Sequence, residues 1–458
     1  MSPRPPTLFE ALIPVVATAL LLLLGIGRWG APVPVLLALA SAVPALLAAR
    51  LGWRWRELEE GMVQGMALAL PAAVILLVVG MTIGAWAQAG TLGAMVVYGL
   101  GILSPAWFLP ATVALTGGVA LAIGSSWTTA ATVGVALLGI GQALGFDPGV
   151  VAGAIVSGAY FGDKMSPLSD TTNLAPSIAG AQLFEHIRAM IATTVPAFVL
   201  AVVVMGVVGL FGGGGDYAPE DLASLERSLR AAQHISPWLL LPPVGVLALA
   251  LLRVPAVPAL LLATLLGAGL AVVVQGVDAS AVLTALYQGN TLESSDPRVV
   301  ELLGRGGMSA MLDTIALVLA ATAFGGLMER GGFMGVILEA ILARVRGPAG
   351  LITATLISAV GVNVLLAEQY LAIVLPGRMF RDAFPRMGLR PRMLSRTLED
   401  AGTVTSVLVP WNSCGAFMAA TLGVSTWAYA PWAVLNWSIP LIAVAYAWTG
   451  LFIHREEP

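Results

Sequence analysis

The sequence predicts an all-α polytopic membrane protein of roughly 10–13 transmembrane helices, in two inverted repeats with broken helices and re-entrant hairpins. Three observations predict it. The 458-residue chain is 58% hydrophobic and only 10% charged, and its mean hydropathy is +0.91. Its apolar runs approach the ~20 residues that cross a bilayer. Finally, the chain repeats itself. Thr82–Gly93 is matched by Ala323–Met334 at an offset of 241, and the polar stretch ending at Asn173 is matched by the one ending at Asn412 at an offset of 239. Internal similarity with helix breaks in both copies points to a secondary transporter whose site lies where the copies meet.

The elements follow in order. Leu8–Gly25 and Ala31–Leu51 read as spans. No small-residue cleavage site follows the first run, so it reads as a membrane helix and not as a cleaved signal. Trp53–Glu60 is a charged interfacial stretch with aromatic anchors. Together these make an N-terminal unit, 1–66. The first transport repeat, 67–211, opens with a span at Ala67–Ala89. Leu92–Leu103, Phe108–Ile123, Thr128–Leu144 and Val150–Phe161 are shorter and read partly as half-helices or re-entrant segments. They are cut by Ser104-Pro105, Gly124-Ser125-Ser126 and Asp147-Pro148. Ile187–Leu210 spans again. Gly212–Gly215 opens a connector, 212–310, containing a hairpin of Trp238–Leu252 with Val257–Gln275 and a polar, partly helical stretch outside the bilayer. The second transport repeat is 311–458.

Arginine placement sets orientation. Arg50, Arg54 and Arg56 crowd one loop, and Arg378, Arg381, Arg386, Arg390, Arg392 and Arg396 crowd another. Positive loops stay in the cytoplasm. Several function classes are excluded. One cysteine, Cys414, allows no internal disulfide and no zinc cluster, and His186, His234 and His454 lack metal-ligand spacing. The net charge of −3, with no basic patch interleaved with aromatics, argues against nucleic acid. An intramembrane aspartyl protease would need a glycine where Tyr160 stands, and a second Tyr-Asp helix. A passive channel has no need of a duplicated pair of acidic broken helices. The chain is expected to be no enzyme and to use no cofactor.

The chemistry concentrates in Gly162–Asn173. Twelve residues carry two carboxylates, four hydroxyls, an amide and Lys164, the only lysine in the protein. Ionisable groups at membrane depth are costly unless paired or facing a water-filled cavity, so they mark ion pathways. Asp163 and Asp170, with Ser166, Thr171, Thr172 and Asn173, are hard oxygen ligands suited to a small cation. Asp163 and Asp170 are the cation candidates. Pro167 breaks the helix and frees carbonyls. Lys164 is a charge partner for these acids, or half of a structural ion pair. Ser125, Ser126 and Thr129 form a second polar break, which is also compatible with helix capping. In the second half, Glu368 follows an apolar run and reads as a site group or as an interfacial one, and Asp400 and Asn412 flank another break. Glu399 follows the arginine loop closely and reads as a surface pair.

These stretches are familiar. Gly162-Asp163-Lys164-Met165-Ser166-Pro167-Leu168-Ser169-Asp170-Thr171-Thr172-Asn173-Leu174-Ala175 resembles the signature of the NhaC family of bacterial sodium/proton antiporters. Glu368–Phe380 is similar to a second family stretch, and Glu399–Ser406 with Pro410-Trp411-Asn412 to a third. The resemblance runs from about residue 67 to 420. It implies an antiporter of the bacterial inner membrane with inverted repeats, paired hairpins, a scaffold and a moving transport part, commonly a homodimer. It also implies Na⁺ and H⁺ as cargo, Asp163 and Asp170 as the Na⁺ candidates, and site roles for Asp163, Ser166, Asp170, Asn173, Glu368, Asp400 and Asn412. Some relatives resemble exchangers of organic acids such as malate and lactate, so that alternative stays open. The expected partners are the lipid bilayer, a small cation and a second copy of the chain.

Overall fold

The computed structural model describes residues 3–100, 104–211, 219–252, 254–292, 294–304 and 306–455. Gly212–Gly215 and the end of the predicted Leu92–Leu103 segment lie outside the described residues. The fold is all helix. One isolated antiparallel bridge, Leu389 with Arg455, is the only extended pairing among the described residues. Among the described residues, eight helices are long and apolar enough to cross a membrane, or up to ten if two bent pairs each count as one span. The helix count therefore falls at or below the low end of the expected range. The reason is that the segments between the spans are broken. Ser126–Thr129, Asp170–Ala179, Gln369–Phe380 and Ser413–Leu422 have 4 to 12 residues, too few to cross.

Glycine decides which helices meet. Trp55–Ala89, at 35 residues the longest helix, crosses Leu312–Arg330 at Gly61, Gly65 and Gly326. A Cβ on Gly326 would collide with the Gly61 carbonyl, and one on Gly65 with the Thr322 carbonyl. Pro105–Ile123 meets Pro148–Met165 in the same way, because a Cβ on Gly162 would collide with the Gly117 carbonyl. Small residues spaced by four let backbones approach closely in a bilayer, where apolar burial alone gives little association. Pro148–Met165 is buried at nearly every position. Leu183–Phe211 shows the opposite pattern, with apolar Val199, Val203 and Phe211 exposed, as expected of a lipid-facing helix.

The element bounds recur along the chain. Pro105–Ile123 and Gly347–Leu365 both have 19 residues and start at 105 and 347, which is 242 apart. Asp170–Ala179 and Ser413–Leu422 both have 10 residues and start at 170 and 413, which is 243 apart. The bend after each 19-residue helix also recurs. Gly124 has φ +76° and Ala367, 243 residues on, has φ +58°. This register corrects one sequence expectation. Asn412 lies opposite Ser169, not Asn173: both Ser169 and Asn412 occupy the N-cap of a ten-residue helix. The 239 offset aligned similar residue types, but the helices themselves are offset by 243.

Two further expectations are corrected. Arg396 and Glu399 belong to no surface loop; both have no exposed surface. Pro391–Leu398 runs into a wide π-helical turn, Glu399–Thr403, and on into Val404–Ser406. This places the end of the arginine stretch inside the bundle.

Candidate cation site

A cavity of about 210 Å³ lies where the broken helices meet. Its wall includes Leu68, Pro71 and Ile75 of Trp55–Ala89. The polar lining comes from both halves: Ser125, Ser126, Asp163, Asp170 and Thr171 from the first, Glu368, Gln369, Tyr370, Ser413 and Cys414 from the second. Each group is there because a helix stops. Gly124 and Ala367 turn the chain into left-handed backbone, and the next residue caps a new helix: Ser125 accepts from the Thr128 amide, and Glu368 from the Tyr370 amide. Ser, Asp and Glu oxygens satisfy free amides at such starts.

Asp163 is held from across the break. Its Oδ2 accepts from the Ser126 hydroxyl at 2.7 Å and the Ser126 amide at 3.2 Å. Only 8% of Asp163 and 3% of Glu368 is exposed, so Glu368 is a buried cavity group and not an interfacial one. Gln369 is fixed by two donors, Ser406 Oγ at 3.2 Å and Cys414 Sγ at 2.6 Å. Asp170 is the more open acid; the Tyr370 hydroxyl stands 3.5 Å from its Oδ2. Among the described residues no three His, Cys, Asp or Glu side chains cluster as a metal centre does. A cation here would take its remaining ligands from hydroxyls, carbonyls and water.

The other expected site residues do structural work nearby. Thr172 donates to the Asp163 and Lys164 carbonyls at 3.2 and 3.0 Å, closing the C-terminal end of the broken helix. Ser166 accepts from the Leu168 amide. Thr129 donates to the Ser125 carbonyl. Asn173 is exposed, and its amide donates to the Pro167 and Ser169 carbonyls, so it holds the bend and faces away from the cavity. Asn412 is fully buried and donates to the backbone carbonyl and Oδ1 of Asn363. Asn363 in turn donates to the Gly402 carbonyl at 2.7 Å and to Thr405. This pair ties the second-half break together.

Asp400 lies behind the cavity, not in it. Its Oδ1 accepts from Lys164 Nζ at 2.8 Å and from Thr193 Oγ at 2.8 Å. Arg396 Nε stands 3.6 Å from its Oδ2, and all three charged groups have no exposed side-chain surface. Lys164 is therefore one half of a structural ion pair joining the two halves of the chain. Sequence reasoning missed Gln369, Tyr370, Ser413, Cys414 and Thr193. Gln369 and Tyr370 stood in the quoted family stretch beside Glu368, which was the available signal. Thr193, inside an apolar run, gave none.

A family model described as the Na⁺/H⁺ antiporter family matches residues 158–451. The chain is 39% identical to the Na⁺/H⁺ antiporter NhaC of Alkalihalophilus pseudofirmus, over 88% of this chain and 87% of that protein. It is 36% identical to the malate-2H⁺/Na⁺-lactate antiporter of Bacillus subtilis, over 98% of this chain and 96% of that one. It is also 36% identical to the arginine/ornithine antiporter of Halobacterium salinarum, over 99% and 94% of the two chains. The match spans both halves of the cavity, and on this ground the chain belongs to the Na⁺/H⁺ antiporter family.

Proposed function

We propose that this multi-pass membrane protein exchanges Na⁺ for H⁺ across the cytoplasmic membrane, with Asp163 and Glu368 as the principal ion-binding groups. One observation carries the reading: a buried carboxyl from each half of the chain, Asp163 and Glu368, faces a single small cavity whose other polar lining is mostly hydroxyls, with the Gln369 amide and the more open Asp170. Such oxygens suit a small hard cation. A carboxylate must shed its proton to bind a metal ion, so cation binding releases protons. That competition is the coupling: the cavity carries Na⁺ one way and protons the other. Asp170, at the open edge, adds negative charge where the ion enters. The similarity to the Alkalihalophilus antiporter supports Na⁺ as cargo.

A second reading, exchange of a small organic acid coupled to protons or Na⁺, is favoured by one specific feature. Asp170–Ala179, Gln369–Phe380 and Ser413–Leu422 all begin at the cavity wall. Helix N-termini present free amides and positive partial charge, which favour anions. With the acids protonated, those amides would face a carboxylate cargo, as the malate/lactate relative suggests. Purified protein in liposomes loaded with a pH-sensitive dye separates the readings. Na⁺ gradients should drive proton movement; movement driven by malate or lactate gradients alone would overturn Na⁺/H⁺ exchange.

A further inference from the structure

Three spaces lie in series along Trp55–Ala89, which acts as a ruler at ~1.5 Å per residue. A chamber of about 580 Å³ touches it at Gly61, Gln64, Gly65 and Leu68. The 210 Å³ cavity touches it from Leu68 to Ile75. A third space of about 520 Å³ touches it only at Ile83, beyond the cavity. The first two share two wall residues, Leu68 and Tyr370, so a single layer of side chains separates them. Ile83 lies eight residues beyond Ile75, or about 12 Å.

The far side is closed by packing. Val79 has no exposed surface, and the Gly307 amide donates to the Gly80 carbonyl at 2.7 Å. On the opposite wall, Ser413 and Cys414 face the cavity while Ala419–Gly423 face the third space. Between them Phe417, fully buried, stacks on Trp127 with ring centroids 4.1 Å apart and planes 11° apart. The near side differs. Leu68 and Tyr370 are 43% and 42% exposed, and the Tyr370 hydroxyl donates to Asp170 Oδ2 across a long 3.5 Å. The near chamber also carries Arg330 and Arg378, on the side of Arg54 and Arg56, where positive charge marks the cytoplasm.

We propose that this conformation is the inward-facing one, that the 580 Å³ chamber is its cytoplasmic vestibule, and that Tyr370 with Leu68 forms the thin inner gate while the Trp127–Phe417 stack forms the thick outer one. The proposal rests on the cavity being the cargo site. It gives Tyr370 a specific role as a side chain that must swing aside for each ion to pass.

Cys414 lines the cavity and is the only cysteine, so the native protein carries its own probe. Proteoliposomes would be treated with a small membrane-impermeant cationic methanethiosulfonate, with orientation read from an Arg386→Cys control on a Cys414→Ser background. Cys414 should react from the Arg386 side and not from the other. Tyr370→Ala should speed that reaction about tenfold, a change in barrier of ~1.4 kcal/mol, and Tyr370→Phe should leave it near wild type. Trp127→Ala should open labelling from the opposite face. Reaction from the opposite face alone in the native protein would overturn the proposal. So would a Tyr370→Ala rate equal to wild type in protein that still labels at Gln64→Cys. Na⁺ protection is read separately: correct sidedness without protection would support the route and sink the cation reading of the cavity.

Discussion

The Lys164–Asp400 pair yields a quantitative ordering. Removing one partner of a buried ion pair strands the other and costs about 3–5 kcal/mol. The two partners here are not equivalent. After Lys164→Met, Asp400 still accepts from Thr193 at 2.8 Å and has Arg396 at 3.6 Å, so the loss should fall near ~3 kcal/mol. After Asp400→Asn, both Lys164 and Arg396 lose their anion. Arg396 is already short of acceptors: its Nη1 donates to the Phe452 carbonyl, but Nε and Nη2 have no hydrogen-bond partner among the described residues. That loss should reach ~5 kcal/mol or more. Unfolding of detergent-solubilised protein by increasing SDS measures the difference. Asp400→Asn should be the less stable by about 2 kcal/mol, the width of that range. Equal stabilities, or a reversed order, would refute the claim that Asp400 is the shared anion of two buried cations. Because neither residue lines the cavity, Na⁺ affinity of folded Lys164→Met should change much less than its stability.

Other outcomes follow from the same geometry. Asp163→Asn and Glu368→Gln should each reduce Na⁺-driven proton movement to background while leaving folded protein in the membrane, checked by dye assay and size-exclusion profile. Na⁺ affinity by calorimetry should weaken as pH falls, by up to about tenfold per pH unit for each proton displaced; affinity flat in pH would mean separate groups for ion and proton. Ala367→Gly should raise stability by roughly 1 kcal/mol, because Ala367 sits at φ +58°, where a Cβ is strained. In the connector, hydrogen bonds from Arg298 hold the Asp296 carboxyl low, at about 2. Its lowered value means this contribution is present above about pH 4 and lost as pH falls toward 2. Asp296→Asn should remove that acid-range slope from thermal unfolding curves.

Much of the site was legible because its chemistry is rare in this chain. In a sequence with 10% charged residues, Asp163, Asp170 and Glu368 stand out, and the helix breaks beside them are written in Gly124, Pro167 and the residues around Glu368. What was not legible is direction. Asp400 and Asp163 look alike in sequence, yet Asp163 lines the cavity and Asp400 points at Lys164 and Thr193. Asn173 looks like a ligand but holds its own bend. Arg396 reads as part of a cytoplasmic cluster because a run of arginines gives no sign of where the helix dives inward. Burial of Glu399 follows from the same error. These depend on the rotation of Pro391–Leu398 about its axis, which packing against Asp170–Ala179 and Leu183–Phe211 sets and which no local pattern encodes.

The recurrence of element bounds explains why the two acids come from different kinds of position. At the 243-residue register, Ser126 corresponds to Gln369 and Asp163 to Ser406. The same bond exists in each half: Ser126 Oγ donates to Asp163 Oδ2, and Ser406 Oγ donates to Gln369 Oε1. One copy is charged and the other neutral. At the cap before each pair the assignment reverses, with Ser125 neutral and Glu368 acidic. Each half therefore contributes one principal acid, at positions that do not correspond. Four acids in so small a space would repel one another strongly at low dielectric and would bind a cation too tightly to release it on the other face. The lining instead holds two buried acids, Asp163 and Glu368, with Asp170 at the open edge, set among helix N-termini that offset part of their charge. In the exchange proposed above, this uneven pairing of positions sets the charge that the cargo must neutralise, which two identical halves would not do.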